Sequence, residues 1–517
     1  MSAPVPSAGR GLLGAVERLG NRLPDPATLF LVATLAVMAL SQLAVTLGWA
    51  VEKTTLGADG PVTTRVEPVS LLTADGLYWL VSSLVANFRD FPPLAIVLVG
   101  MLGIGLAERS GFLPALLRAS LTRVPARFLA PIVVFAGVSS SLAVDAGYVV
   151  LPPIAAALFQ AAGRSPIAGA AAAFAGVAGG FGANLAITGL DPLLAGLTES
   201  GARLVDDAYR VSPTCNWWLM IASTFLLTAV GWAVADGLVE PRLAGRGGHA
   251  EPAAPPAAAL SRDERRGVAA GLVALGATAL AIGLAIAVPG APLHGANGGT
   301  PRWVAAIVPL MFLATAIPGL AHGIAARTIR SDRDAARMLG EAMAAMGPYV
   351  VLAFFAAQFV ASFGHSRLGE MFAVTGGDLL ARAELPIGLL LALFVAGVGG
   401  LNLLMASMSA KYAFLAPVFV PIFMQVGVSP ELTQAAYRIG DSVTNSIAPL
   451  NPYLVILLVL VQRYRPEAGI GTVVALMLPF AVAFGIAWTA LLVAWTALGL
   501  PLGPEGPLAY PIAAGLP

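Results

Sequence analysis

Apolar runs and the places where they fail divide this chain. Long apolar runs near 27–50, 92–107, 217–238, 267–289, 302–321, 342–363 and 470–498 read as membrane-spanning helices, because about 20 apolar residues cross a hydrocarbon core about 30 Å thick. Two regions are different. Residues 128–160 form two short apolar arms around Ser139-Ser140-Ser141, and residues 386–424 form two more around a turn running from Gly399-Gly400-Leu401-Asn402 to Ser409. The arms of 128–160 are too short to span comfortably, so each region is expected to be a re-entrant hairpin; two tilted spans are the alternative for the first. Each is followed by an apolar helix with a polar, glycine- and proline-containing interruption, at about 167–190 and about 431–460. The expected fold is an all-α polytopic membrane protein with about nine spans plus two hairpins.

Composition agrees. Of 517 residues, 58% are hydrophobic and 11% charged, whereas a soluble domain has about a quarter charged. A net charge of +1, with basic residues between the apolar runs, makes no case for nucleic-acid binding. The single cysteine, Cys215, excludes an intrachain disulfide, and four scattered histidines form no zinc-type cluster. The first apolar run exceeds a signal-peptide core and reads as a retained span.

Loop charge supplies orientation. Arg109, Arg118, Arg123 and Arg127 place their loop, and with it the N-terminus, in the cytoplasm. Arg327, Arg330, Arg333 and Arg337 do the same for 322–337. The basic, Ala-Pro-rich stretch 240–266 reads as a flexible cytoplasmic linker between halves 1–239 and 267–517. The halves also resemble each other: Gly163-Arg164-Ser165-Pro166 recurs 264 residues later as Gly427-Val428-Ser429-Pro430, with Pro153 meeting Pro417 and Gly176 meeting Gly440. Leu190-Asp191-Pro192 recurs 260 residues later as Leu450-Asn451-Pro452. Loop charge puts the two hairpins on opposite sides, and inverted repeats carrying broken helices are the signature of alternating-access carriers.

Ionisable and polar groups at membrane depth mark candidate sites. Arg438 has two readings: an internal ion pair with Asp441 at i+3, or an anchor for a substrate carboxylate, which guanidinium binds through parallel hydrogen bonds. Asp441, Ser442, Thr444 and Asn445 supply hard oxygens for Na⁺, or a carboxylate that cycles protons; Ser442 and Asn445 could also serve turns. Asn184 and nearby carbonyls would form the counterpart in the first half. Asp191 either caps the helix that follows or binds an ion at depth. Tyr412 is core packing or an aromatic surface for a ring-bearing solute, Lys411 a snorkelling side chain, Trp217-Trp218 an interfacial belt, and Asp145 part of a hairpin tip.

The segments AGVAGGFGANLAITGLDPLLAG (175–196) and SAKYAFLAPVFVPIFMQVGVSPELTQAAYRIGDSVTNSIAPLNPYL (409–454) resemble the AbgT family, the p-aminobenzoyl-glutamate transporters, related to other ion-coupled carriers. The resemblance implies a homodimer in the bacterial inner membrane, each subunit with nine transmembrane helices and two re-entrant hairpins, moving in elevator fashion. It implies functional roles for Asp191, Asn402, Ser409, Pro430 and Arg438. This chain has Tyr412 where the family has tryptophan, and Pro-Leu-Asn-Pro at 449–452 where it has Pro-Leu-Met-Pro. The expectation is a carrier of an aromatic carboxylate such as p-aminobenzoyl-glutamate, coupled to Na⁺ or H⁺ and using no cofactor. Proton-driven export of sulfonamide antimetabolites is the alternative. An intramembrane enzyme built on Asp145 and Asp441 lacks a Gly-x-Gly-Asp motif, a Ser/His pairing and a metal cluster. A passive channel would not need broken inverted repeats.

Overall fold

The computed structural model describes residues 25–57, 60–121, 125–143, 146–244, 260–297, 299–405 and 407–511. It is built from helices. The first part of the chain forms α1 (Pro26–Thr46), a hairpin of β1 (Val51–Gly57) and β2 (Gly60–Val66), then α2 (Ala74–Arg89), α3 (Pro92–Arg109) and α4 (Phe112–Leu121). A short apolar pair follows, α5 (Leu129–Ser139) and α6 (Ala146–Ala161), then the pieces of a broken helix, α7 (Pro166–Phe174) and α8 (Leu190–Ala202), and α9 (Trp217–Val234). The second part runs through α10 (Arg262–Ala287), α11 (Ile307–Ala325), α12 (Asp332–Ala345), α13 (Gly347–His365) and α14 (Leu368–Arg382). Another pair, α15 (Ile387–Asn402) and α16 (Met408–Gln425), precedes a second broken helix, α17 (Pro430–Val443) and α18 (Tyr453–Gln462), and the last helix α19 (Ile470–Ala497).

Among the described residues eight helical stretches are long and apolar enough to cross a membrane. Seven of these are the expected apolar runs and the eighth is α16, the second arm of the 386–424 pair; the two broken helices counted among the expected spans contribute only short pieces. Several boundaries also differ from the sequence expectation. The 51–75 loop holds an antiparallel hairpin with Val51 opposite Val66, in a β-branched segment that favours extended backbone. The loop expected at 322–337 gives way at Asp332 to α12, started by a Ser331/Asp334 capping box, with Met338 and Ala342 buried on one side. The 240–266 linker is helical at both ends, to Ala244 and from Arg262, the latter capped by Ser261 and Glu264; its middle, 245–259, lies outside the described residues, as does Asp145. The first broken helix does not end at 190: its second piece continues to Ala202.

The breaks fall where the backbone needs glycine or proline. The first helix loosens into a π turn at Ala175–Gly179 and stops, leaving 180–189 irregular; the second stops before 444–452, which contains Pro449 and Pro452. Irregular backbone at depth must find its hydrogen bonds within the protein. It does so here: the Leu185 carbonyl accepts from the Trp217 indole at 2.9 Å, Ala183 from the Ser141 hydroxyl at 3.3 Å, and Asn445 from the Asn451 side chain at 2.9 Å.

The first pieces of the two broken helices lie against the first arms of the two pairs, α7 and its π turn on α5 and α17 on α15. Each contact is made through a glycine. A Cβ on Gly176 would sit 2.5 Å from the Val134 carbonyl oxygen, and one on Gly440 would sit 2.6 Å from that of Val395 and 2.8 Å from Cβ of Val398. Gly440→Ala is therefore expected to cost about 1–3 kcal/mol, read as a lower unfolding temperature in detergent. Gly397→Ala, where the added methyl meets nothing within 4 Å, serves as the control.

Candidate substrate and ion site

Helix α17 organises the site. Pro430 fits its first turn, the Ser429 hydroxyl accepts from the Leu432 N–H at 3.0 Å, and every residue from Pro430 to Val443 is buried. Glu431, Gln434, Arg438 and Ser442 follow a helical repeat that aligns them on one face, with Asp441 at its edge. A helix so polar and so enclosed must have partners.

Arg438 finds them in the first broken helix. Its Nη1 donates to Asp191 Oδ1 at 2.6 Å, while Nε and Nη2 donate to the Gly182 carbonyl at 3.0 and 2.7 Å; the side chains of Arg438 and Asp191 are 0% and 3% exposed. The i+3 partner expected from the sequence, Asp441, is not the one used. The break at 180–189 turns a free carbonyl and the first turn of α8 toward Arg438, which places a carboxylate and a carbonyl within reach of one guanidinium. Asp191 does not cap α8, whose start has no side-chain cap; it lies in the first turn of that helix as the partner of Arg438. One oxygen holds Arg438, and Oδ2 accepts from the Thr188 N–H at 2.6 Å, the Thr188 hydroxyl at 2.9 Å and the Asn184 side chain at 2.9 Å. Ser442 accepts from the Gly182 N–H at 2.8 Å and donates to the Arg438 carbonyl at 2.7 Å, a strut between the two broken helices.

A second cluster surrounds Asn402 at the tip of the α15–α16 pair. Its side-chain N–H₂ lies 2.7 Å from the Asp441 carbonyl, 3.0 Å from the Thr444 hydroxyl and 2.8 Å from Asn445 Oδ1. Lys411 does not snorkel. It is fully buried, pairs with Asp441 Oδ1 at 2.7 Å and donates to the Met405 carbonyl at 3.0 Å and to Asn402 Oδ1. The oxygens of Asp441 and Asn402 thus already surround a fixed ammonium, while Asp441 Oδ2 and Asn184 Oδ1 have no hydrogen-bond partner among the described residues.

The remaining candidates lie apart from Arg438. Tyr412 is buried, stacked on Tyr437 at 4.1 Å, its hydroxyl 2.7 Å from that of Thr198; in this conformation the ring is covered. Ser409 is half-buried and meets the Ser407 hydroxyl at 3.4 Å. Trp217 and Trp218 stack at 5.3 Å as an aromatic pair beside the first break. Sequence reasoning passed over Glu431, which is 1% exposed and accepts from the Tyr209 hydroxyl at 2.9 and 3.1 Å. Its only signal was an acid just after Ser-Pro, the usual composition of a first helical turn.

Two broken helices that exchange hydrogen bonds around buried, charge-paired side chains, within a polytopic helical protein, define a membrane transporter rather than an enzyme. The chain belongs to the AbgT putative transporter family, whose model matches residues 11–510. It is 37% identical, over 97% of its length and 98% of the relative's, to the p-aminobenzoyl-glutamate transport protein of Escherichia coli. Among solved structures it is similar to the Alcanivorax borkumensis YdaH transporter, with 42% identity, a TM-score of 0.85, and coverage of 93% of this chain and 100% of that one. It is also similar to Neisseria gonorrhoeae MtrF, of a class of antimetabolite efflux pumps, with 37% identity, a TM-score of 0.89, and coverage of 98% and 100%.

Proposed function

We propose that this transporter moves an aromatic, carboxylate-bearing solute such as p-aminobenzoyl-glutamate across the bacterial inner membrane, driven by a cation gradient. The observation that carries the reading is the Arg438–Asp191 pair, closed between the two broken helices. Arg438 is fully buried and its charge is already paired with Asp191 in this conformation, so a solute carboxylate binds by exchange: it takes the place of Asp191, and Asp191 reclaims the guanidinium when the solute leaves. The Tyr412–Tyr437 stack lies beside this path and provides the aromatic contact once it opens. The 37% identity to a p-aminobenzoyl-glutamate transport protein supports this solute class.

The cycle rests on two inverted halves, 1–239 and 267–517, that act through re-entrant hairpins at α5–α6 and α15–α16 in an elevator-like motion. The matched glycine contacts of Gly176 and Gly440 support this repeat. The protein works as a homodimer with its N-terminus in the cytoplasm, as the loop arginines favour. The coupling cation is Na⁺ or H⁺; the oxygens of Asn184, Asp191, Asp441, Ser442, Thr444 and Asn445 are the donors that would hold Na⁺. Because Lys411 already neutralises Asp441, the geometry favours the proton.

Uptake of labelled p-aminobenzoyl-glutamate into proteoliposomes, with Na⁺ and pH gradients imposed separately, is expected to show accumulation under one gradient. Flux that only equilibrates the solute would sink the coupled reading. The likeness to MtrF, of a class of antimetabolite efflux pumps, favours a second direction, export; sulfonamides are the solutes we propose for it, and vesicles preloaded with a labelled sulfonamide test it in the same assay.

A further inference from the structure

Among the described residues three carboxylates are buried, those of Asp191, Glu431 and Asp441. Asp191 pairs with Arg438 and Asp441 with Lys411. Glu431 has no lysine or arginine partner among the described residues. A charge left alone in such a place costs several kcal/mol or more, and the group is cheaper neutral. An acid kept there without a counter-cation is suited to binding and releasing a proton.

Its surroundings connect it to the surface on one side and to the site on the other. The Tyr209 hydroxyl, on the 203–216 loop, bonds both carboxylate oxygens, and its ring packs on Tyr510 at 5.8 Å. Tyr510 in turn reaches the half-buried Asp206 at 3.3 Å. The C-terminal segment is pinned over this corner: the Ser429 hydroxyl donates to the Pro507 carbonyl at 2.6 Å, and the Tyr510 N–H to the Gly427 carbonyl at 2.9 Å. Burial first, and then the Glu431 carboxylate, push the Tyr209 phenol well above its usual range, so it stays protonated.

Inward along α17, Gln434 lies one turn from Glu431 and one turn from Arg438. Its Oε1 is 2.7 Å from the Thr198 hydroxyl, which is 2.7 Å from that of Tyr412; Gln434 Nε2 and Asn216 Oδ1 have no hydrogen-bond partner among the described residues. The other titratable groups around Glu431 are Cys215, Tyr412 and the exposed Glu505. None of these is basic.

We propose that Glu431 is the proton-carrying group of the transport cycle, loaded through Tyr209 from the face formed by the 203–216 loop and the C-terminal segment. The inference rests on the transport reading above and names its coupling ion. The proton comes from water at that face and adds to a carboxylate oxygen, with Tyr209 turning from donor to acceptor. After the core has moved, the proton passes to water on the other side and the carboxylate is restored. Solute and proton occupy different turns of α17, at Arg438 and Glu431 about two turns apart, so the two functions are separable.

Glu431→Gln tests this in proteoliposomes with a pH indicator inside. Exchange of labelled for unlabelled p-aminobenzoyl-glutamate is expected to stay within about twofold of the parent, while accumulation driven by a pH gradient falls about tenfold or more and solute-linked proton movement disappears. Tyr209→Phe, which keeps the acid and removes the hydrogen bond that favours its charged form, is expected to shift the pH midpoint of driven uptake upward. A variant Glu431→Gln that still concentrates solute and moves protons overturns the proposal; so does one that loses exchange and driven uptake together, the pattern of a structural residue. A solute-independent measurement covers failure of the substrate assignment or of that variant to fold. On acidification, infrared spectra of the purified parent should show one buried carboxylate becoming protonated, at a pH that Tyr209→Phe raises. Absence of such a band in the parent, or its indifference to Tyr209→Phe, overturns the proposal on its own.

Discussion

Substituting Arg438→Ala is expected to abolish transport and to lower stability by about 3–5 kcal/mol. The guanidinium is fully buried, and all three of its contacts cross to the other broken helix: one to Asp191 and two to the Gly182 carbonyl. Removing it leaves a carboxylate 3% exposed without a cation and a carbonyl without a donor. Arg438→Lys should rescue little, because a compact ammonium cannot serve the carboxylate and the carbonyl in the planar arrangement a guanidinium provides. The double variant Asp191→Asn with Arg438→Gln removes both charges, so it should recover most of the unfolding temperature and none of the transport. That separation matters, since a single variant that merely unfolds says nothing about the solute. Parental uptake by a folded Arg438→Ala protein would end the carboxylate-anchor assignment.

The polar positions of the site were legible because charged and amide side chains are too costly within apolar sequence to be incidental; Asp191, Asn402, Arg438 and Asp441 stand out for that reason. Their partners were not. Arg438 was matched to Asp441 because local spacing sees only one helix, whereas its real partner is 247 residues away and is delivered by a break in another helix. Lys411 was read as snorkelling because that is common near a helix start, yet the tip of the α15–α16 pair encloses it. Glu431 was invisible for the opposite reason: an acid in a first turn satisfies local rules completely, and only burial by the 203–216 loop and the C-terminal segment makes it unusual. Glycines and prolines marked the breaks themselves, although the first broken helix runs on past 190 to Ala202. The β1–β2 hairpin and α14 lie between the apolar runs, where the hydrophobic pattern marks no element.

Lys411→Met is expected to abolish transport as well, and to turn a protein indifferent to Na⁺ into one that Na⁺ stabilises. In the folded protein the Lys411 ammonium sits against Asp441 Oδ1, Asn402 Oδ1 and the Met405 carbonyl, and both members of the ion pair are almost completely buried. This is the oxygen-rich corner that the sequence suggested for a small cation, and a fixed cation already fills its electrostatic role. Exchanging Na⁺ for choline at constant ionic strength should therefore leave the parent's unfolding temperature unchanged. Methionine keeps the length of the side chain but leaves Asp441 uncompensated, with oxygens of Asn402, Thr444 and Asn445 close by. The variant should be destabilised by about 3–5 kcal/mol in choline. Na⁺ at a hundred times its dissociation constant would return about 2.7 kcal/mol of that loss. A parent that Na⁺ itself stabilises would show that Lys411 does not hold the cation position, and would return the hard-oxygen cluster to the role of a sodium site.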